Sequence, residues 1–560
     1  MNAVLEFLRK VFNGIVFLFQ YDLQNFKNTF HNTYWLLFFT MRLLPWLVAI
    51  IFFTNLVRKK RKQIKLAFEA LKRVLDMIGN CPPKILFLLI FLLAAVLRIW
   101  YALALPLIPA EGDAISRLQQ AKEWYDTYNG VPGNLVWLPL HHWIIGFGSL
   151  FGLDILYSSR FITLLFSLLT FPVFYSLINR KFGSSVALIS CFILAVNPFH
   201  IKYSVITMSE IPFIFFALSA LLALFKFIES EKKSDLFISV FCLSCCSLIR
   251  FEGWILSALA PLILFYYKRN LKSFLLFGAL NSLVILGYMV VSLANTGRLI
   301  EGLYISDLTV KNTFALQQNP GTYILENLRY GLVLPVWIPV VLLYGIYLAI
   351  KEKKELPWLA LSLILIAMTA WKMFNHTSEP FWRYLSTGLF LILPFASYGL
   401  YRLIKMSRPV KVLWLPLVFI ASSLNIYGQY KYIIDTRNVP EGFYETAKWF
   451  KAHRQPGQLF IYHSARDYAP FLILSNTTSD DVYHPDPPEM KVYKRYRDFT
   501  DTLLLQKLTS RKYSFLIYQA NSKMDSVFHQ PDVQEEIKKY GVTTDSVYGN
   551  INYRIWSLKN

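Results

Sequence analysis

Apolar residues in this chain come in unbroken runs rather than in stripes. Twelve such runs lie at 34–57, 84–107, 157–178, 184–198, 210–228, 235–250, 254–267, 271–294, 330–350, 356–371, 384–401 and 412–429. Most approach the roughly 20 residues that a helix needs to cross a hydrocarbon core. A helix that is apolar all round has no face to offer to water, so the pattern predicts an α-helical polytopic membrane protein with about twelve transmembrane helices. Residues 4–19 are amphipathic instead, which suits a helix lying in the membrane interface or a weak additional span. Arg9-Lys10 interrupts that run and no small-residue cleavage site follows, unlike a signal peptide.

Past residue 430 the pattern changes to that of a soluble fold. Phe443, Ala447, Trp449 and Phe450 recur at helical spacing within 441–453, and 459–462, 514–518 and 551–558 read as strands. The chain therefore divides into three parts: 1–83, with the amphipathic segment, one span and a basic loop; a transmembrane core, 84–430; and a small α/β domain, 431–560. Asp480-Asp481 and Pro485-Asp486-Pro487-Pro488 read as solvated turns.

Composition agrees: 55% of the residues are apolar and only 16% charged, too apolar for a soluble chain of 560 residues. A net charge of +22 would suit a nucleic-acid ligand, but the positions of the basic residues argue against one. Arg58 to Lys62, Arg180-Lys181, Lys232-Lys233, Lys268-Arg269, Lys351 to Lys354 and Arg402 to Lys411 fall in alternate loops, the positive-inside pattern, which assigns those loops to the cytoplasm. The loops 109–156, 199–208, 295–328 and 372–383, and everything beyond 430, then face outward. Cys81, Cys191, Cys242, Cys245 and Cys246 lie in or beside spans or on the cytoplasmic side, so no disulfide framework is expected in the outer loops. Cys242-x-x-Cys245-Cys246 has no histidine partner and reads as small residues at a helix contact. There is no phosphate-binding glycine loop, fixed-period repeat or pair of broken helices, which weakens the ATPase and transporter readings.

The first outer loop opens with Glu111-Gly112-Asp113, continues into a predicted helix over 114–128, and then reads Trp137-Leu138-Pro139-Leu140-His141-His142-Trp143. Arg160, Asn197-Pro198, Met208-Ser209-Glu210-Ile211-Pro212, Arg250-Phe251-Glu252-Gly253 and Arg383-Tyr384 follow in order. In these motifs, across roughly 84–430, the chain resembles the GT-C glycosyltransferases, especially the protein-mannosyltransferase and aminoarabinose-transferase branch. The resemblance implies a GT-C-like bundle in which a sugar moves from a polyprenyl-phosphate carrier to an extracytoplasmic acceptor, with inversion at the anomeric carbon. Two departures stand out. The aminoarabinose-transferase branch has Lys-Pro-Pro-Leu where this chain has Trp137-Leu138-Pro139-Leu140. The Trp-Trp-Asp-Tyr-Gly motif of oligosaccharyltransferases is absent, which disfavours transfer of a preassembled oligosaccharide to asparagine.

Such a transfer needs a base for the acceptor hydroxyl and positive charge for the leaving phosphate. Asp113 is the first candidate for the base and Glu111 the second; Asp113 can equally cap the helix that follows it. Candidates for the phosphate are Arg250, Arg383, Arg298, Lys372 and His376, and substrate contacts are expected from His141, His142, Lys202, Glu210 and Trp137. Arginines at span ends can instead snorkel to lipid headgroups, and Arg250 can simply pair with Glu252. Arg98, deep in a span, needs a carboxylate or carbonyl partner. Glu210 either favours a helix N-terminus or lines the site beside Asp113, where two carboxylates could hold a divalent metal ion; no Asp-x-Asp or His/Cys cluster supports one, and metal dependence is left unassigned. The expected partners are a polyprenyl-phosphate-linked sugar, an extracytoplasmic acceptor and membrane lipids, with no nucleic acid. The expected location is the plasma (inner) membrane, multi-pass, with the active site on its outer face. The competing readings are a secondary transporter or lipid flippase, which charges deep within spans would favour, and a non-catalytic scaffold.

Overall fold

The computed structural model describes residues 81–105, 112–127, 137–305, 337–374, 384, 386–406, 442–463, 468–477, 481–483, 512–520, 535, 538–539, 542–550 and 552–559. The runs 34–57 and 412–429 lie outside them, as do Glu111, His376 and Arg383.

The first core span is α1 (Pro83–Ala104), which starts on a proline whose missing N–H costs nothing at the first helical position. The loop helix α2 (Gly112–Thr127) and the short α3 (Leu140–Gly146) follow. Next comes α4 (Ile155–Phe182), capped by the Asp154 carboxylate, which accepts from the Leu156 N–H at 2.8 Å. After α5 (Ser184–Ala195), Asn197-Pro198 starts the single-turn α6 (Pro198–Tyr203), the Asn197 side chain accepting from the His200 N–H at 3.0 Å. The core continues with α7 (Glu210–Ser230), α8 (Lys233–Ile249), α9 (Glu252–Lys268), α10 (Leu271–Thr296), α11 (Trp337–Lys351), α12 (Leu356–Phe374) and α13 (Ser386–Met406).

Every predicted apolar run that falls within the described residues is helical. Five helices, α1, α4, α7, α10 and 387–405 of α13, are long and apolar enough to cross a membrane. Shorter apolar helices, including α5 and stretches of α11 and α12, pack among them. Leu88, Leu92, Val96 and Leu103 of α1 and Leu275, Leu283, Leu286 and Val290 of α10 are exposed, as expected of surfaces solvated by lipid tails. This is a multi-pass membrane protein. Close approach replaces the hydrophobic effect between such helices: a Cβ on Gly345 of α11 would stand 1.9 Å from the Phe395 carbonyl of α13, and one on Gly399 would stand 2.4 Å from the Val341 carbonyl.

Arg98 finds its partners in carbonyls rather than in a carboxylate. Its guanidinium donates to Ala94 O, Ala195 O and Leu194 O at 3.0, 3.0 and 3.2 Å, to Ser167 Oγ at 2.9 Å and to His200 Nδ1 at 2.7 Å. It thus satisfies the last carbonyls of α5 and joins α1, α4, α5 and α6.

The charged connections gather at one end of the bundle. Lys181 meets Glu355 at 3.5 Å, Arg402 meets Glu352 at 2.6 Å, Arg180 pairs with Glu229, Lys268 pairs with Glu231, and the Tyr267 hydroxyl donates to Glu355 at 2.8 Å. The opposite end of α7 carries Glu210. Its 21 residues span about 30 Å, the thickness of a hydrocarbon core.

Beyond the bundle lie α14 (Phe443–His453), β1 (Leu459–His463), α15 (Tyr468–Ser475), β2 (Val482–Tyr483), β3 (Tyr513–Gln519), β4 (Thr543–Gly549) and β5 (Tyr553–Lys559). The strands form one mixed sheet in the order β2-β1-β3-β5-β4; β1 runs parallel to β2 and β3, and β5 antiparallel to β3 and β4. Phe450 joins helix to sheet, its ring 4.7 Å from Phe460, 5.5 Å from Phe471 and 5.3 Å from Phe515. The same core takes in Ile115, Leu118 and Ala121, so α15 and its neighbours rest on α2. Asp481, expected in a solvated turn, is instead ion-paired to Arg454 at 2.8 Å.

Candidate functional site

Opposite the charged end, three parts converge: α3 with Trp137 just before it, the α6–α7 connection and the α8–α9 turn. The last is the tightest. Gly253 lets α9 start against the final turn of α8, because a Cβ there would lie 2.3 Å from the Cys246 carbonyl. Its N–H donates to Arg250 O at 2.9 Å, closing a turn that sets Arg250 and Glu252 side by side. Arg250 Nη2 donates to Glu252 Oε1 at 2.7 Å and its Nε to Glu252 Oε2 at 3.3 Å, while Nη1 donates to Glu210 Oε1 at 2.9 Å and Ser209 Oγ at 3.1 Å. One guanidinium therefore ties the start of α7 to the start of α9. Burial opposes its charge, but Glu252 and Glu210 outweigh that and raise its pKa. Glu210 is 1% exposed, and its Oε2 has no hydrogen-bond partner among the described residues. Tyr384, the described half of the Arg383-Tyr384 pair, faces the Arg250 guanidinium at 5.5 Å. Lys372, at the end of α12, lies within electrostatic reach of Glu252.

The second half of the cluster comes from α2 and α3. Asp113 sits within the first turn of α2, which starts at Gly112, so it is inside the helix rather than at its cap, in the field that favours a carboxylate. Four residues on, and so on the same face, Arg117 is buried beneath Trp137 with its guanidinium 4.4 Å from the ring. Its Nη1 reaches His141 Nδ1 at 3.4 Å. His141 and His142 are fully buried. Burial first, then the charge of Arg117 and the neighbouring His142, holds His141 well below the usual imidazole value, and Arg250 adds to that effect. His142 is pushed down to about 3, again by burial and then by Arg117. Both rings are neutral at physiological pH.

Asp113, His141, His142, Trp137, Glu210, Arg250 and Lys372 thus lie on the connections at one end of the bundle. Lys202 is buried in α6 near the Tyr203 ring. Arg298, half exposed beyond α10, is paired with Glu301 at 3.0 Å and stacked on Tyr304. Sequence reasoning missed Arg117; its spacing of four from Asp113 on a predicted helix was the available signal. The described residues contain no group of three or more His, Cys, Asp or Glu able to hold a metal ion. Glu210 and Glu252 are both ion-paired to Arg250.

Residues 134–293 match the family model of dolichyl-phosphate-mannose-protein mannosyltransferase. A sequence search of curated proteins gave no match. Among solved structures, ArnT from Cupriavidus metallidurans bound to undecaprenyl phosphate is similar with a TM-score of 0.58 and 11% identity, over 83% of this chain and 97% of that one. The Archaeoglobus fulgidus oligosaccharyltransferase in complex with Zn and sulfate gives 0.52 and 12%, over 83% and 72%. The arabinofuranosyltransferase AftD from Mycobacteria gives 0.50 and 15%, over 84% and 40%. The sequence match runs from the Trp137 segment into α10, and the helical bundle is similar in fold to these three proteins.

Proposed function

We propose that this protein transfers a monosaccharide from a polyprenyl-phosphate carrier to an acceptor hydroxyl outside the cytoplasm, with inversion. The observation that carries the reading is the convergence of Asp113, the two histidines, the Glu210–Arg250–Glu252 triad and Lys372 where apolar helices end. A lipid-borne donor reaches such a place from the bilayer and a polar acceptor from water. The ArnT structure with undecaprenyl phosphate shares this fold, which supports a carrier of that class.

In the proposed reaction the acceptor O–H gives its proton to the Asp113 carboxylate as its oxygen bonds to the anomeric carbon. The bond from that carbon to the phosphate oxygen breaks on the opposite face, and the electron pair leaves with the polyprenyl phosphate. Glu111 is the second choice of base. Lys372, Arg383, His376 and Arg298 are the proposed partners of the departing charge. For Arg250 to join them, it exchanges one of its two carboxylates for phosphate. Glu210, with one oxygen open among the described residues, and Lys202 and Trp137 are proposed substrate contacts. No step is routed through a metal ion. The charge of the basic end supports a cytoplasmic location for it, and with it the proposed place of the site on the outer face of the plasma membrane. The identity of the sugar is open to mass spectrometry of membrane glycoconjugates from cells with and without the protein.

Asp113→Asn keeps size and removes basicity. Expression and thermal stability should stay near wild type, while transfer from undecaprenyl-phosphate-linked sugar falls by about two orders of magnitude or more. Full activity in Asp113→Asn with loss in Glu111→Gln would exchange the two roles. Full activity in both would remove this loop from catalysis.

A further inference from the structure

The seam between α2 and α3 carries a second set of groups that the charge chemistry leaves unused. Residues 113, 117, 120 and 124 share one face of α2, and α2 packs on α3. The Tyr125 hydroxyl donates to Trp143 O at 2.9 Å, and Gly146 stands so close to the Tyr125 ring that a Cβ would fall 2.3 Å from it. The two helices are thereby fixed together.

On this seam both ring nitrogens of His142, the indole N–H groups of Trp124 and Trp143 and the Gln120 Oε1 are buried without a hydrogen-bond partner among the described residues. Native folds satisfy buried polar atoms with protein, water or ligand, and a cluster of open ones marks a place where something else completes them. Flat rings frame the set: Trp124 lies 5.6 Å from Trp143, and Trp137 lies 6.2 Å from His142.

The type of each group narrows the ligand. A neutral imidazole offers one donor and one acceptor, the indoles offer donors and the amide oxygen an acceptor. Phosphate oxygens accept only and call for cations. A hydroxyl both donates and accepts, and a sugar ring adds an apolar C–H face that suits an aromatic wall. We propose that the α2–α3 seam is a subsite for a hydroxyl-bearing sugar ring, with His142 donating to one hydroxyl and accepting from its neighbour. This rests on the transferase reading, and the ring belongs either to the donor or to a glycan acceptor.

The test uses the full-length protein in lipid nanodiscs, with tryptophan fluorescence as the readout. The probes are bare undecaprenyl phosphate, undecaprenyl phosphate bearing mannose, glucose or aminoarabinose, and free methyl glycosides of the same sugars. For a donor subsite, a sugar-bearing carrier binds the wild type about tenfold more tightly than the bare carrier. His142→Phe removes that advantage and leaves the Kd of the bare carrier unchanged, while His142→Asn, which keeps a donor and an acceptor, retains part of it. For an acceptor subsite, saturable binding of a methyl glycoside is lost in His142→Phe and the carrier preference survives. Identical behaviour of wild type and His142→Phe toward every sugar-bearing probe overturns the proposal, and so does equal weakening of the bare carrier. A wild type that does not bind bare undecaprenyl phosphate counts against the transferase reading instead, with the glycoside arm still deciding the subsite.

Discussion

Arg250 carries one positive charge between two carboxylates in a place nearly closed to water, with Glu210 at 2.9 Å and Glu252 at 2.7 Å. Removing it strands two like charges, a loss on the order of 3–5 kcal/mol. Arg250→Ala should therefore lower Tm in detergent as well as activity, and Arg250→Ala with Glu210→Gln should recover part of the Tm because one buried charge is gone. An unchanged Tm in the single variant would mean that the triad is not closed in the membrane. The histidines make a pH prediction. The unfolded imidazole titrates near 6.5, whereas folded His142 is held at about 3. Above pH 6.5 neither state binds the proton and the group contributes no pH dependence. As pH falls below 6.5 the unfolded chain takes up a proton that the folded chain refuses, so stability drops by roughly 1.4 kcal/mol per pH unit for each such histidine. Thermal unfolding followed from pH 7.5 to 5 should show this slope, flattened in His142→Gln; equal slopes would mean that His142 is solvated. At this scale the sequence exposed Arg250 and its alternative partner Glu252 through the Arg-x-Glu-Gly turn, but not Glu210, which comes from 40 residues earlier.

Among elements, the contact between α11 and α13 depends on two glycines that sequence inspection had no reason to single out. Gly345→Ala drives a Cβ to 1.9 Å from the Phe395 carbonyl. The helices must separate, at a cost of about 1–3 kcal/mol. Gly287→Ala in α10 is the control, since nothing lies within 4 Å of its Cβ position, and it should be neutral or slightly stabilising because alanine loses less backbone entropy in a helix. Thermal unfolding of the two variants checks the pair, and equal Tm values would show that the contact yields freely. Helices were legible as elements because unbroken apolar runs have few other solutions in lipid. Strand β4 was not: it is largely exposed, so Thr543 to Gly549 lacks an apolar alternation. The eight-residue α15 was missed too, a short apolar stretch whose period does not separate helix from strand.

For the whole molecule, the distribution of charge decides orientation. Arg180, Lys181, Lys268 and Arg402 meet carboxylates at one end of the bundle, and Arg117, His141 and Arg250 occupy the other. If the basic end is cytoplasmic, a phosphatase reporter fused after Asn560 should be active only outside the cytoplasm. A reporter active inside would invert the orientation and remove the extracytoplasmic acceptor from the proposal. The C-terminal sheet adds a constraint that topology alone does not: its core includes Ile115 and Leu118 of α2, the helix that bears Asp113 and Arg117 on another face. Sheet and site therefore hold one helix between them.

Local chemistry is what the sequence determined by itself. Unbroken apolar runs specify membrane helices, alternating basic loops suggest their orientation, and the Glu111-Gly112-Asp113 and Arg250-Phe251-Glu252-Gly253 motifs carry the resemblance to the GT-C enzymes, because each depends only on residues near one another in the chain. Partnership between distant segments was left to the tertiary structure. It joined Arg250 to Glu210, set Arg117 beneath Trp137 beside His141, answered Arg98 with the carbonyls of another helix, and rested the C-terminal sheet on α2. The physical reason is that a buried charge or imidazole takes its protonation and its role from whatever packing brings within about 4 Å, and no one-dimensional pattern records that distance.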